Sequence, residues 1–172
     1  FSTTVKFRTM LDTTMQPVLN TLNGSGKLQT HNILISNSGV LGQLAEKLKM
    51  DAYKTLTLND VFISFQFKDG KVKVEPFTIA MGNSKATISG WSGFDQTLGY
   101  VLNMDVPTSE LGAGMGAVSG LLSQLNSKAG TNVQAPTTVK ADVLIGGTVS
   151  KPTVKLEFKG FGSDGGNSNA GL

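Results

Sequence analysis

Cysteine is absent from the 172 residues. That excludes a disulfide framework and any thiolate-ligated zinc site. Histidine occurs once, as His31. A lone imidazole cannot build a histidine metal cluster, and a Ser-His-Asp hydrolase would need His31 itself as its base. A hydrolase reading of His31 is therefore kept only as a rival. No D-x-D, E-x-x-H or H-E-x-x-H pairing joins the twelve acidic residues into a catalytic or metal-binding motif. Several of these, including Asp69 and Asp95, stand in turn sequences, where aspartate is favoured for local hydrogen bonding. Arginine also occurs once, as Arg8. Guanidinium is the preferred fork for phosphates and base edges, so its scarcity argues against a nucleic-acid partner. The net charge is only +3, and Lys6, Lys27, Lys47, Lys49, Lys68, Lys71 and Lys73 are scattered singly rather than in a run. No apolar stretch reaches the roughly 18 residues that would span a bilayer as a helix. Any signal or anchor segment is expected upstream of Phe1.

The length suits one domain that buries roughly two-thirds of its unfolded surface. Its dominant pattern is period-2 alternation, the mark of half-buried strands. Val61, Ile63, Phe65 and Phe67 share one strand face, with Phe62, Ser64, Gln66 and Lys68 opposite. Asp69-Gly70 then gives a type I′ hairpin signal. The return strand carries Val72 and Val74, and its apolar set slips by one residue at Pro76 before Phe77 and Ile79. A bulge or edge position explains the slip, because proline cannot donate to a ladder. Two more strands follow, around Ala86 to Gly90 and from Leu98 to Val106. The second presents Leu98, Tyr100, Leu102, Met104 and Val106 on one face. Together these predict an antiparallel meander.

Upstream, Val5 to Leu11 and Lys27 to Ser36 read as strands, and Met15 to Leu22 as a short helix or an irregular crossover. Gly39 to Met50 has helical spacing through Val40, Leu41, Leu44, Ala45 and Leu48, with Ser38 as cap. A second helix is expected from Thr108 or Ser109 to about Lys128. Two closing strands follow, through Val139 to Ile145 and Val154 to Phe158. The stretch from Gly112 to Gly120 invites a phosphate-loop reading. It fails, because Ser119 stands where G-x-G-x-x-G needs glycine and no lysine follows. The expected fold is mainly β (α+β): a curled antiparallel meander forming a groove or half-barrel, with two accessory helices. The domain is expected over residues 1–159, and residues 160–172 as a flexible Gly/Ser/Asn-rich tail.

The ordered pieces LNGSGKLQT, FQFKDGKVKVEPF with IAMG, SGWSGFDQTLGY and TVKADVLIGGTVSKPTVKLEF resemble the C-terminal region of AsmA-like proteins, the Bacteroidetes type most of all. The resemblance covers about residues 10 to 158. It implies a Gram-negative, periplasmic, envelope-associated protein, tethered by an N-terminal transmembrane helix outside this chain. It also implies kinship with TamB and the bridge-like lipid-transfer proteins, whose curled sheets form an apolar groove for acyl chains. No catalytic residue, metal or cofactor comes with it. The implied function is envelope assembly by binding or passing phospholipid, without catalysis. The implied partners are phospholipid or another envelope lipid, a membrane through the upstream anchor, and other repeats of the same protein.

A groove is lined by one face of successive strands. The candidates are Val61, Ile63, Phe65, Phe67, Val72, Val74, Phe77, Ile79, Leu98, Tyr100, Leu102 and Met104. The same residues could instead form a core closed by the helices. The rival function is a protein-interaction or capping module acting through sheet edges.

Overall fold

The protein is described here from a computed structural model, covering residues 1–36, 38–48, 51–81, 83–110 and 137–162. Among these residues, ten strands and one α-helix follow in order: β1 Ser2–Arg8, β2 Asn23–Gln29, β3 Ile33–Ser36, α1 Gly39–Leu48, β4 Thr55–Leu58, β5 Phe62–Lys68, β6 Lys71–Met81, β7 Ser84–Gly93, β8 Leu98–Pro107, β9 Thr138–Gly147 and β10 Pro152–Gly162. Eight strands form one antiparallel sheet in the order β1-β2-β5-β6-β7-β8-β9-β10, while β3 and β4 pair separately. The eight-stranded sheet is open: β1 and β10 are its two edges, and it does not close into a barrel.

The meander follows from its turn chemistry. Asp69 and Gly70 both take positive φ, 52° and 71°, as a type I′ turn requires, and Lys68 pairs with Lys71 across it. The β6 register then shifts between Val74 and Phe77, at the Pro76 discontinuity. The bulge returns Phe77, Ile79 and Met81 to the face already used by Val72 and Val74. One face of the sheet is therefore largely apolar, and the other carries the strand lysines, with Phe62, Trp91, Val101 and Leu144 among them.

Between β2 and β5 the chain leaves the sheet, forms β3, α1, a 3-10 turn over Asp51–Lys54 and β4, and then returns. Thr30 and Val61 fasten the two ends of this excursion. Thr30 donates its N–H to the Val61 carbonyl at 2.9 Å, and its hydroxyl accepts the Val61 N–H at 3.1 Å. Thr30 is buried, so that pairing answers backbone groups that water cannot reach. Helix α1 opens with the Gly42 N–H on the Ser38 carbonyl, and it buries Leu41, Leu44 and Ala45 at helical spacing. These residues, with Tyr53, Leu56 and Leu58, pack on Ile79, Met81, Ala86, Leu102, Met104, Val106, Val139, Val143, Ile145 and Val154. The Tyr53 hydroxyl is paired with Ser84 Oγ at 2.8 Å inside this core. Gln43 reaches the Pro152 carbonyl at 2.9 Å and ties α1 to β10.

Several expectations need correction. The stretch Lys27 to Ser36 is not one strand: it breaks at Thr30, with β2 in the large sheet and β3 in the small one. The first strand is Ser2–Arg8, earlier than Val5 to Leu11. Of the two readings of Met15 to Leu22, the irregular crossover is the one found. It holds a bridge between Leu11 and Pro17 and a 3-10 turn at Leu19–Thr21. Strand β4 has no counterpart in the sequence reading. Strand β10 runs to Gly162, so the tail does not begin at position 160. Residues 108–110 form a 3-10 turn. The rest of the expected second helix, the Gly112–Gly120 stretch and the tail beyond 162 lie outside the described residues.

Candidate functional site

The excursion covers only part of the apolar face. Its α1 and β4 lie over the stretch from late β6 to β10, and among the described residues no element lies over the opposite part, across β2, β5 and early β6. There an open apolar depression of about 350 Å³ is lined by Leu28, Ile63, Phe65, Phe67, Val72, Val74, Phe77 and Tyr100. Its volume falls within the roughly 300–1,000 Å³ typical of small-molecule sites.

Cross-strand register explains why these side chains meet. Val5, Gly26, Phe65, Val74, Gly90, Tyr100 and Ile145 are successive partners across seven strands, so all stand on one face. Two of them are glycines, and the large rings fill the space above those glycines. A Cβ on Gly26 would collide with the Phe65 ring. Gly90 has φ 149°, and a Cβ there would come within 2.8 Å of the Tyr100 ring. Aromatic rings lying over glycines give the depression a wide, smooth floor. Phe67 meets Phe65 edge-on at 5.4 Å and stacks on Phe94 at 6.3 Å.

The depression has one polar end. Tyr100 Oη and Ser92 Oγ share a hydrogen bond at 2.8 Å. Ser92 faces Val72 and Leu98 across its neighbouring strands, which puts this hydroxyl pair toward the end of the strands that carries the Asp69-Gly70 turn. Toward the β1 edge the apolar face continues through Val5 and Phe7, both solvent-exposed.

The twelve candidate residues divide between depression and core. Ile63, Phe65, Phe67, Val72, Val74, Phe77 and Tyr100 line the depression. Ile79, Leu102 and Met104 are 4%, 5% and 2% exposed beneath the excursion, and so belong to the closed core rather than to an open groove. Val61 and Leu98 are half-buried against that core. Leu28 lines the depression but was absent from the groove set. Its alternation within LNGSGKLQT was the available signal, diluted by the glycines that share its face.

Among the described residues no group of side chains is placed to hold a metal ion. His31 Nδ1 lies 3.0 Å from Asp60 Oδ1, both largely in solvent and outside the depression. The shifted carboxylates are all locally held. Asp12 sits below its ordinary value because the Thr14 hydroxyl and the Gln16 and Thr14 N–H groups bond to it. Asp95 is lowered chiefly by the Thr97 hydroxyl, and Glu157 by Lys159 and Lys155.

No protein family, curated protein or solved structure matches the chain.

Proposed function

We propose that this domain binds the acyl part of a lipid in the uncovered half of its apolar face, without covalent chemistry, as part of periplasmic envelope assembly in a Gram-negative cell. The observation that carries the reading is the apolar depression of about 350 Å³, walled by aromatic and aliphatic side chains and left open to solvent. An acyl chain gains about 0.8 kcal/mol for each methylene it buries there. The Tyr100 and Ser92 hydroxyls stand where the polar ester of such a lipid could be met. The resemblance to AsmA-like proteins supplies the envelope setting, the upstream membrane tether and the phospholipid.

The test is native mass spectrometry of the domain purified from a bacterial envelope, with lipid extraction of the same sample. Bound phospholipid is expected in the wild type. Phe65→Asp, at a half-buried and open position, should lose it while keeping the native circular dichroism spectrum. A lipid-free wild type that also fails to take up a monomeric fluorescent fatty acid would overturn the reading.

A second reading has its own observation. All seven residues of β1 are exposed, and β1 is an edge of the large sheet. Such an edge can add a strand from a neighbouring repeat of the same protein or from another partner. That function would depend on backbone groups. It would survive Phe65→Asp and fail when a proline replaces Val5.

A further inference from the structure

The lysines that are scattered in sequence are gathered by the fold. On the polar face, cross-strand register sets Arg8 beside Asn23, Lys6 beside Ser25 and Lys27 beside Ser64, while Lys68 faces Lys71 and Lys73 faces Gln66. Lys6, Arg8, Lys27, Lys68, Lys71 and Lys73 therefore occupy one corner of the sheet, over β1, β2, β5 and early β6. All six are exposed, and none is in a salt bridge among the described residues. Among the described residues Glu75, bonded by Gln66, is the one carboxylate on that part of the face, and Asp12, Asp69 and Asp95 stand in the adjoining turns.

The other half of the same face is balanced. There Lys85 and Lys140 each pair with Asp105, and Lys155 and Lys159 bridge to Glu157 and Asp142. The contrast is local. The direct opposition of Lys68 and Lys71 is unfavourable for the sheet itself. Departures of this kind concentrate where a surface serves a ligand.

The same corner ends in apolar side chains. The crossover from β1 to β2 projects past the strand ends, held by the Leu11–Pro17 bridge and by Thr9 Oγ1 on the Val18 carbonyl at 3.1 Å. At its tip Met15 takes φ 63° and is 75% exposed, and Met10 and Leu11 are exposed beside it. Asn20 approaches Gly70, which places this crossover against the β5–β6 turn and its lysines. A shallow cleft of about 300 Å³ opens nearby, lined by Lys6, Lys27, Ser64, Phe65 and Gln66 among others, with Glu75 on its wall.

We infer that this corner docks on an anionic lipid surface, with the six cations meeting headgroup phosphates and Met10, Leu11 and Met15 entering the interface. Charge complementarity selects the anionic partner. The exposed apolar tip beside the cations selects a lipid surface. Two rings share this face, Phe62 and Trp91, the second with Lys71 lying over it at 3.9 Å, so single-stranded nucleic acid is the competitor that the test includes. Docked in this way, the hydroxyl-bearing end of the depression lies on the side of the membrane. The inference takes its choice of lipid from the proposed function, but none of the six cations and none of Met10, Leu11 and Met15 lines the depression.

The test is co-sedimentation of the domain with vesicles of phosphatidylcholine containing phosphatidylglycerol, against vesicles of phosphatidylcholine alone. Binding to the anionic vesicles only, weakened by salt, is expected. Neutralising Lys6, Lys27 and Lys73 together as glutamines should reduce partitioning about fivefold per lysine, and Met15→Asp about tenfold. Neutralising Lys85, Lys140 and Lys155 instead should change little. Uptake of a monomeric fluorescent fatty acid should be unaltered by all of these changes, so loss of docking and loss of acyl binding are separately visible. Three results would overturn the inference: no binding to the anionic vesicles, equal loss from the two lysine triplets, or tighter binding to single-stranded DNA than to the vesicles.

Discussion

Single side chains decide where the apolar face is closed. Thr30 is the smallest such case. It is 1% exposed, and its hydroxyl answers the Val61 N–H where the excursion leaves and rejoins the sheet. Thr30→Val keeps the shape and strands that donor. The expected loss is about 1–3 kcal/mol in a urea titration, at unchanged m-value. Tyr53→Phe removes the buried bond to Ser84 and should cost about 1 kcal/mol. Asp12 acts at a different place and a different pH. Its carboxylate holds the crossover tip through Thr14 and Gln16, and its pKa is lowered from 3.8 by those bonds. A lowered folded pKa contributes stability that is complete above the unfolded value. The contribution is lost as pH falls through the folded one. Amide exchange at Thr14 and Gln16 should therefore be flat with pH, after correction for intrinsic rates, down to about 3.8, and should accelerate only below it. Acceleration that begins near neutrality would place the control of this tip elsewhere.

Elements with local causes were legible, and those with distant causes were not. The Asp69-Gly70 turn, the irregularity at Pro76 and the Leu98-to-Val106 alternation each announce themselves within a few residues, because turn φ, a missing N–H and period 2 are local properties. The break at Thr30 is not local. The run from Lys27 to Ser36 alternates well enough for one strand, and only the pairing of Thr30 with Val61, thirty-one positions away, divides it. Strand β4 is four residues long and pairs only with β3, so it offered little pattern to read. The same limit applied to the site. Alternation assigned side chains to a face, but it could not say which part of that face α1 would cover. Leu102 and Phe65 look alike in sequence, yet Leu102 lies in the core near Leu44 and Phe65 lines the depression. Helix α1 is thus the element whose removal tests the division. Leu44→Ala, at a fully buried position, should cost about 2–5 kcal/mol. Partial unfolding that spared β5 and β6 would show that the two halves of the sheet do not fold as one unit.

Across the whole molecule, one continuous sheet carries two unequal halves. The stretch from late β6 to β10 is sandwiched under α1 and β4 and holds the buried core. The stretch from β1 to early β6 has one apolar face that no described element covers. Local opening is easiest where few buried apolar groups hold the chain. Hydrogen exchange should therefore be slowest in β8 and β9 and fastest in β1, with β2 and β5 between. A ligand in the depression touches β2, β5, β6 and β8, so its stabilisation should fall on the less protected half first. At a free concentration of about one hundred times its Kd, a ligand bound only by the folded state adds about 2.7 kcal/mol. If an acyl chain lies in the depression, the added protection should concentrate in β2, β5 and early β6 and should be small in β9. Protection spread evenly over the sheet would mean that the ligand only blocks global unfolding, and the open half would then need another occupant.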